Sequence, residues 1–208
     1  MVGRCRLKCP RPLFCSVGRA YGAASSICQN VPNMPLLDRS RSLLLVIDLQ
    51  ERLMPAIDQA DEVLANAERL VSGAELLGVP VVITEQYPRG LGPTVPSLAG
   101  RGKVIEKMSF SAWGAPDFAE SLNRGQIVVI GTEAHICVCQ TVLDLLSHGY
   151  RVSVVADAVG SRRPHSRTTA LERLARHGAD VVTTEMALFE WTGTAADANF
   201  KQISALIK

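Results

Sequence analysis

The chain has 208 residues, of which 47% are hydrophobic and 20% charged, so it is long enough for one globular domain with a sizeable core and too apolar to be disordered. Its longest apolar runs, such as Leu43–Ile47, are far shorter than the ~20 residues that cross a bilayer, so no membrane-spanning helix is expected. The net charge is +2, but five of the 22 basic residues precede the first acidic residue, Asp38. From residue 38 onward, 17 basic and 20 acidic residues give a net charge of −3. This balance argues against nucleic-acid binding by that part of the chain.

Residues 1–37 differ in composition from the rest of the chain. They contain no acidic residue and no sustained hydrophobic period, and they hold four of the six cysteines: Cys5, Cys9, Cys15 and Cys28. A mitochondrial transit peptide has this composition, but the stretch lacks a clear amphipathic helix, so we favour an extension with Met34 as the effective start. A zinc site is disfavoured because no Cys-x-x-Cys pair occurs. We expect a poorly ordered extension at 1–37 and a domain at 38–208.

The domain itself keeps only Cys137 and Cys139, which are too close for an ordinary structural disulfide. This usage is typical of a reduced, intracellular protein. The sequence therefore predicts a cytoplasmic location, or a mitochondrial one if residues 1–37 are a transit peptide.

After Asp38, short apolar runs rich in β-branched residues alternate with amphipathic helical stretches, which is typical of parallel βαβ units. The predicted strands are Leu43–Leu49, Val79–Thr84, Val104–Glu106, Ile127–Gly131, Val152–Ala156 and Asp180–Thr184. The predicted helices are Asp61–Leu77, Pro116–Asn123, His135–His148, Ser166–His177 and Ala195–Ile207. The pattern predicts a three-layer α/β/α sandwich around a mostly parallel, Rossmann-like sheet of five or six strands.

Polar residues follow the predicted strand ends, where parallel α/β sheets bind ligands. They are Asp48, Glu85, Lys107, Glu133, Cys137 and Asp157. Asp48 ends an apolar run and would be costly to bury without a partner, although a solvated strand end is an equally good interpretation. Cys137 lies near a helix start whose polarity favours thiolate, although a buried core cysteine is the commoner role. Cys139 faces another side of that helix and is assigned to the core.

Four strings occur in order along the domain: Leu45-Val-Ile-Asp48-Leu-Gln50, Thr84-Glu-Gln-Tyr-Pro-Arg-Gly-Leu-Gly92, Lys107-Met-Ser-Phe-Ser-Ala112 and Gly131-Thr-Glu-Ala-His-Ile-Cys137-Val138. Together they resemble the isochorismatase-like cysteine hydrolases over residues 40–208. The second string, with the Gly-Pro-Thr-Val-Pro that follows, resembles the branch of isochorismatase domain-containing proteins.

The resemblance implies a catalytic triad of Asp48, Lys107 and Cys137. Asp48 would carry the proton, Lys107 would hold carboxylate and thiolate together, and Cys137 would attack a carbonyl to form a thioester. It also implies an oxyanion hole made by the backbone N–H groups of Glu133 and Cys137, with a cis peptide bond at Thr132–Glu133. Asp157 would hold the rim of the site together.

Two departures from the superfamily narrow the chemistry. The segment Thr84–Pro88 has no histidine of the kind that binds metal in nicotinamidases, so we predict no catalytic metal and disfavour nicotinamide as substrate. Isochorismate hydrolysis need not use a cysteine, so Cys137 favours an amide-like C–N bond or a related acyl group. The four histidines share no helical face with a second ligand. No phosphate-binding glycine motif occurs, and no cofactor is predicted.

The residues Gln86, Tyr87, Phe110 and Trp113 are candidates to line a small substrate pocket, with core packing an equal alternative for the last two. The first hypothesis is a metal-independent cysteine hydrolase of a small molecule. The alternatives are a non-catalytic binding or scaffold protein with the same fold and, less favoured, a thiol redox protein. Apolar residues in 134–149 and 189–208 beyond the needs of one sheet face predict a homo-oligomer.

Overall fold

The structure, a computed structural model, describes residues 36–208. The predictions of a targeting or extended N-terminal segment, and the weighing of Cys5, Cys9, Cys15 and Cys28 as zinc ligands, lie outside the described residues. Leu37 is buried in the core and its N–H donates to the Glu190 carboxylate. The packed body therefore includes residue 37, which the sequence assigned to the extension. No helix of the described part is long and apolar enough to cross a membrane.

Six parallel strands form one sheet in the order β3-β2-β1-β4-β5-β6, which confirms the predicted fold class. The strands are β1 (Ser42–Ile47), β2 (Val81–Gln86), β3 (Lys103–Lys107), β4 (Gln126–Thr132), β5 (Arg151–Gly160) and β6 (Asp180–Val182). The central strands β1 and β4 are buried on both faces, because both faces of a parallel sheet are covered by helices.

The helices are α1 (Ala60–Leu77), α2 (Pro88–Leu91), α3 (Phe118–Ser121), α4 (Cys139–Ser147), α5 (Pro164–Arg176), α6 (Thr184–Thr192) and α7 (Phe200–Leu206). One face of the sheet packs against α1, α6 and α7, and the other against α3, α4 and α5. Alternation along β1 follows this division, since Leu44 and Val46 enter the first layer while Leu45 and Ile47 enter the second.

Three predicted helices were wrong in part. The segment from Ala134 to Val138 is a π-helical turn, and α4 begins only at Cys139. The helix predicted over Pro116–Asn123 is a single turn. The predicted terminal helix Ala195–Ile207 is shorter in the structure, where α7 spans Phe200–Leu206, and the separate helix α6 at Thr184–Thr192 was not predicted. The buried residues of α6 lie on one face, but Met186 and Phe189 are exposed on the other face, so the hydrophobic residues of this segment do not show the one-sided pattern that marks a surface helix.

Strand β5 is longer than predicted because it contains a bulge. Its register against β4 jumps from Val154 opposite Val129 to Val159 opposite Gly131. Asp157 lies in this irregular stretch, and its Oδ1 accepts hydrogen bonds from the N–H and hydroxyl of Thr184 at 2.8 and 2.9 Å. Asp157 thus anchors the start of α6. The bulge carries the chain on to residues 161–163, beside the carboxyl end of β4.

Candidate functional site

Three predicted site residues come together at the carboxyl edge of the sheet. Asp48 follows β1, Lys107 ends β3, and Cys137 lies in the π-helical turn after β4. Strand β2 separates β3 from β1, so the long Lys107 side chain crosses the end of β2 to reach Asp48. The Cys137 thiol lies close enough to the Asp48 carboxylate and the Lys107 ammonium for both to influence its pKa.

The Asp48–Lys107 ion pair is completely buried. Lys107 Nζ lies 2.7 Å from Asp48 Oδ2, and both side chains are 0% exposed. The ammonium also donates to Gln86 Oε1 at 2.8 Å and to the Phe110 carbonyl at 3.1 Å. All the donor capacity of the ammonium is therefore satisfied inside the protein.

Asp48 is held by two threonines that the sequence did not single out. Thr84 donates its hydroxyl to Asp48 Oδ1 at 2.7 Å, and Thr132 donates its hydroxyl to the Asp48 carbonyl at 2.7 Å. The Asp48 N–H donates to the Thr84 carbonyl. The sequence did contain a signal for Thr84. Side chains alternate between the two faces of a strand, so Thr84 and Gln86 of β2 lie on one face and Glu85 on the other.

Burial raises the pKa values of both the Asp48 carboxyl and the Cys137 thiol. Burial raises the pKa of Asp48, against the opposing effect of Lys107 and the donated hydrogen bonds. Burial and the nearby Asp48 raise the pKa of the Cys137 thiol to about 12, although Lys107 opposes this. The expectation of a thiol acidified by helix-end polarity was therefore wrong. Desolvation outweighs the helix end, so the resting group is a protonated thiol beside a base.

The backbone around the site needs unusual conformations. Asp48 has φ of 51°, in the left-handed region that few non-glycine residues adopt. Gly131 has φ of 121°, and a Cβ there would lie 2.0 Å from the Ile47 carbonyl oxygen. Only glycine permits β4 to approach β1 this closely at the point where both strands deliver site residues.

Glu133 lies between β4 and the turn that bears Cys137. The Thr132–Glu133 peptide bond is cis, as the resemblance implied. The Glu133 carbonyl accepts the N–H groups of Ile136 and Val138, the residues on either side of Cys137. Its carboxylate pairs with the Arg162 guanidinium and accepts the Arg162 N–H at 3.1 Å. Arg162 was not predicted, and only the fold brings it to Glu133.

The other candidate residues lie in different surroundings. Gln86 is buried and contacts Lys107, so it belongs to the support of the ion pair. Glu85 points away from Asp48 and accepts the N–H and hydroxyl of Thr94. The side chains of Tyr87 and Phe110 are exposed near the Lys107 end of the site. The ring of Trp113 stacks on His148, 3.8 Å between centroids, and also packs against Phe118 and Tyr150.

The described residues contain no cluster of three or more His, Cys, Asp or Glu side chains placed to hold a metal ion. Both carboxylate oxygens of Asp48 and the Oε1 of Glu85 accept hydrogen bonds from Lys107 and the threonines described above. Cys137 and Cys139 are both free thiols.

The structure is a three-layer α/β/α sandwich with a buried carboxylate, ammonium and thiol at the carboxyl edge of its parallel sheet. The isochorismatase domain family matches residues 42–186. The chain therefore belongs to the isochorismatase family of hydrolases.

Relatives and solved structures agree with this assignment. Isochorismatase domain-containing protein 2 of Danio rerio is 41% identical over 175 residues, 82% of this chain and 89% of that protein. Isochorismatase domain-containing protein 1 of the same species is 39% identical over 178 residues, 83% of this chain but only 62% of that longer protein.

The structure titled MAR1 ribonuclease from Caenorhabditis elegans has a TM-score of 0.79 and 34% identity, covering 83% of this chain and 92% of that one. The ycaC gene product of Escherichia coli, titled an octameric hydrolase of unknown specificity, has a TM-score of 0.78 and 24% identity, covering 83% and 89%. The latter similarity shows the fold alone.

Proposed function

We propose that the chain is a cysteine hydrolase that cleaves a small amide-like or related acyl substrate through a thioester on Cys137, without a metal. The single observation that carries this proposal is the completely buried Asp48–Lys107 pair beside the Cys137 thiol, close enough for both charges to influence the pKa of the thiol. A thiol nucleophile, a base and a cation placed close together are the groups that such an attack requires.

The buried pair is difficult to explain by stability. Removing two charges from water costs several kcal/mol per ion, and apolar side chains of similar volume are often as stabilising. A scaffold protein would gain little from Asp48 and Lys107 at 0% exposure. Chemistry gives the pair a use, because the ammonium keeps Asp48 ionised enough to act as a base in a site whose burial favours its protonated form.

Acylation begins from the protonated thiol. As Cys137 Sγ attacks the substrate carbonyl carbon, its proton moves to Asp48, and the carbonyl π electrons move to oxygen. The resulting oxyanion is stabilised by the backbone N–H groups of Cys137 and Glu133. The intermediate collapses as the bond to the leaving group breaks, and Asp48 returns the proton to the departing nitrogen or oxygen. A thioester remains on Cys137.

Deacylation repeats these steps with water. Asp48 accepts a proton from water as its oxygen attacks the thioester carbon, and the same N–H groups stabilise the second oxyanion. The C–S bond then breaks, the acid product leaves, and the thiolate of Cys137 regains the proton from Asp48. One water molecule is consumed, and Lys107 remains charged throughout.

The net charge of −3 from residue 38 onward gives no support for carrying the ribonuclease title of the worm structure over to this chain. We also propose that the chain forms a homo-oligomer. Its support lies in the exposure of Met108 and Phe110, at 71% and 55%, rather than mainly in the two predicted segments. The proposed location is cytoplasmic.

A panel of small amides, ureides and esters, followed by product detection, tests the function. For any compound that is turned over, Cys137→Ala should reduce kcat/KM by at least about 10³-fold. The matched control is Cys139→Ala, which removes a buried thiol two residues away and should retain activity. If Cys137→Ala were as active as the parent, the assignment of Cys137 as the nucleophile would be wrong.

A further inference from the structure

The main chain that follows β3 holds part of the Lys107 ammonium. Lys107 Nζ donates to the Phe110 carbonyl at 3.1 Å, and the Ser109 carbonyl oxygen lies 3.4 Å from the same nitrogen. Residues 108–110 gain little from core packing, because the side chains of Met108 and Phe110 are exposed. The position of these two carbonyls therefore depends on hydrogen bonds made further along the segment.

Two side chains of α4 attach this segment to the helix. The Ser111 hydroxyl donates to Asp144 Oδ2, and the Ala112 N–H donates to Thr141 Oγ1 at 2.9 Å. Thr141 and Asp144 are three residues apart, so they are neighbours on one face of α4. We call these two hydrogen bonds the α4 tether.

Ser111 is the centre of the tethered segment. Its hydroxyl donates to Asp144 and also accepts the Trp113 N–H at 3.2 Å, while its carbonyl accepts the Ser109 hydroxyl at 2.7 Å. Loss of the Ser111 hydroxyl removes two of these hydrogen bonds at once. The change reaches Lys107 through Ser109 and the carbonyl that follows it.

The α4 tether connects the two halves of the candidate site. Helix α4 begins at Cys139, directly after the π-helical turn that carries Cys137. The tether therefore joins the segment that holds the Lys107 ammonium to the element that carries the thiol. Lys107 lowers the pKa of this thiol against the larger effect of burial, so an ammonium that moves away favours the thiolate less.

We propose that Ser111 and Asp144 are positioning residues, whose hydrogen bond fixes the segment that holds the Lys107 ammonium beside the Cys137 thiol. The inference rests on the proposed function and adds two residues to its machinery. A hydroxyl-to-carboxylate hydrogen bond suits this role because it is stronger than one between neutral groups. Within residues 36–208 neither side chain hydrogen-bonds to the triad, so both act through the segment.

Alkylation of Cys137 by iodoacetamide tests this inference without any turnover. The C–S bond forms as the C–I bond breaks, iodide leaves, and the thiol proton passes to the buffer. The thiolate is the reacting form, so the rate reports how well the ammonium favours it. Rates are measured by peptide mass spectrometry at mildly alkaline pH. Cys139 in the same digest is 2% exposed and reports any general loosening of the fold.

The first variants remove or keep one hydroxyl. Ser111→Ala removes it, Ser111→Thr keeps it, and the matched control Ser121→Ala removes a hydroxyl that donates to the Phe118 carbonyl in α3. Ser111→Ala should slow the reaction of Cys137 about threefold to tenfold, because one pKa unit changes the thiolate fraction tenfold. The rate at Cys139 should stay unchanged. Ser111→Thr should restore the parent rate, and Ser121→Ala should match it.

A second background tests whether Ser111 acts through Lys107. In the double variant Asp48→Asn with Lys107→Met no ammonium remains to be positioned, so adding Ser111→Ala should change the rate at Cys137 by less than about twofold. Asp144→Asn in the parent background replaces the carboxylate with a neutral acceptor and should slow Cys137 less than Ser111→Ala does.

The outcomes separate this inference from the proposed function. If Ser111→Ala leaves the rate at Cys137 unchanged or raises it, or has the same effect without Lys107, the tether does not position the ammonium and the inference is wrong. The assignment of Cys137 as nucleophile then stands. If the rate depends on Ser111 through Lys107 but no hydrolysed compound requires Cys137, the proposed function fails and the positioning of the ammonium stands.

Discussion

The substitution Lys107→Met removes the cation from the centre of the site while keeping most of the side-chain volume. Exposed ion pairs contribute about 0–1 kcal/mol, but both members of this pair are 0% exposed, so the value for a buried pair applies. Breaking a buried pair by removing one partner destabilises a protein by about 3–5 kcal/mol, because the other charge stays buried. We expect Lys107→Met to lose this much free energy of unfolding at neutral pH, together with nearly all hydrolase activity.

The pH dependence of this loss follows from the remaining carboxylate. Burial already raises the pKa of Asp48, and without Lys107 the pKa rises further. The folded variant then favours the protonated acid more than the unfolded chain does. The deficit relative to the parent is therefore largest at neutral pH and shrinks as the pH falls through the raised pKa of Asp48.

Urea unfolding at several pH values measures these quantities. Asp48→Asn combined with Lys107→Met should recover much of the lost stability and none of the activity, because no buried charge remains. Lys103→Met, on the exposed start of the same strand, is the matched control and should change stability by less than about 0.5 kcal/mol. A Lys107→Met variant as stable as the control would refute the account of the buried pair.

Three further outcomes are expected. The pH profile of kcat/KM should rise through a pKa above the ordinary 3.8 of an Asp, since burial raises the pKa of Asp48. It should show no second rise near the ordinary thiol pKa of about 8.5, because the pKa of Cys137 is raised to about 12. A profile governed by a pKa near about 8.5 would contradict the protonated resting thiol. Gly131→Ala should destabilise the fold by about 3 kcal/mol or more in thermal or urea unfolding, because its Cβ would meet the Ile47 carbonyl, whereas Gly125→Ala, with open space around it, should not. Prolonged chelation should leave turnover unchanged; loss of activity that zinc or iron restores would require a metal mechanism.

Much of the fold followed from local sequence patterns. Apolar runs such as Leu43–Ile47 marked strands buried on both faces, and the helical spacing over residues 61–77 marked α1, which ends at Gly78 in a left-handed conformation. The rule that ligands bind at the carboxyl ends of parallel strands then selected Asp48 and Lys107. The resemblance added Cys137 and the ordering of the four strings.

The rest depended on contacts between distant segments. The bulge in β5 could not be predicted, because Asp157 looks like a strand end until the register against β4 is known. The Glu133–Arg162 pair joins residues 29 positions apart. The direction of the Cys137 pKa depends on burial by the packed fold, whereas a sequence shows only the polarity of the nearby helix end.

The most direct test of the central claim is detection of the acyl-enzyme. The compound of the panel that is hydrolysed fastest is mixed with protein in excess, quenched in acid during the first turnover and mapped by peptide mass spectrometry. The account predicts the mass of the acyl group on the peptide that contains Cys137, decaying as the acid product appears and absent in Cys137→Ala. Hydrolysis that proceeds at full rate with no adduct on Cys137, or with the acyl group on Cys139, would contradict it.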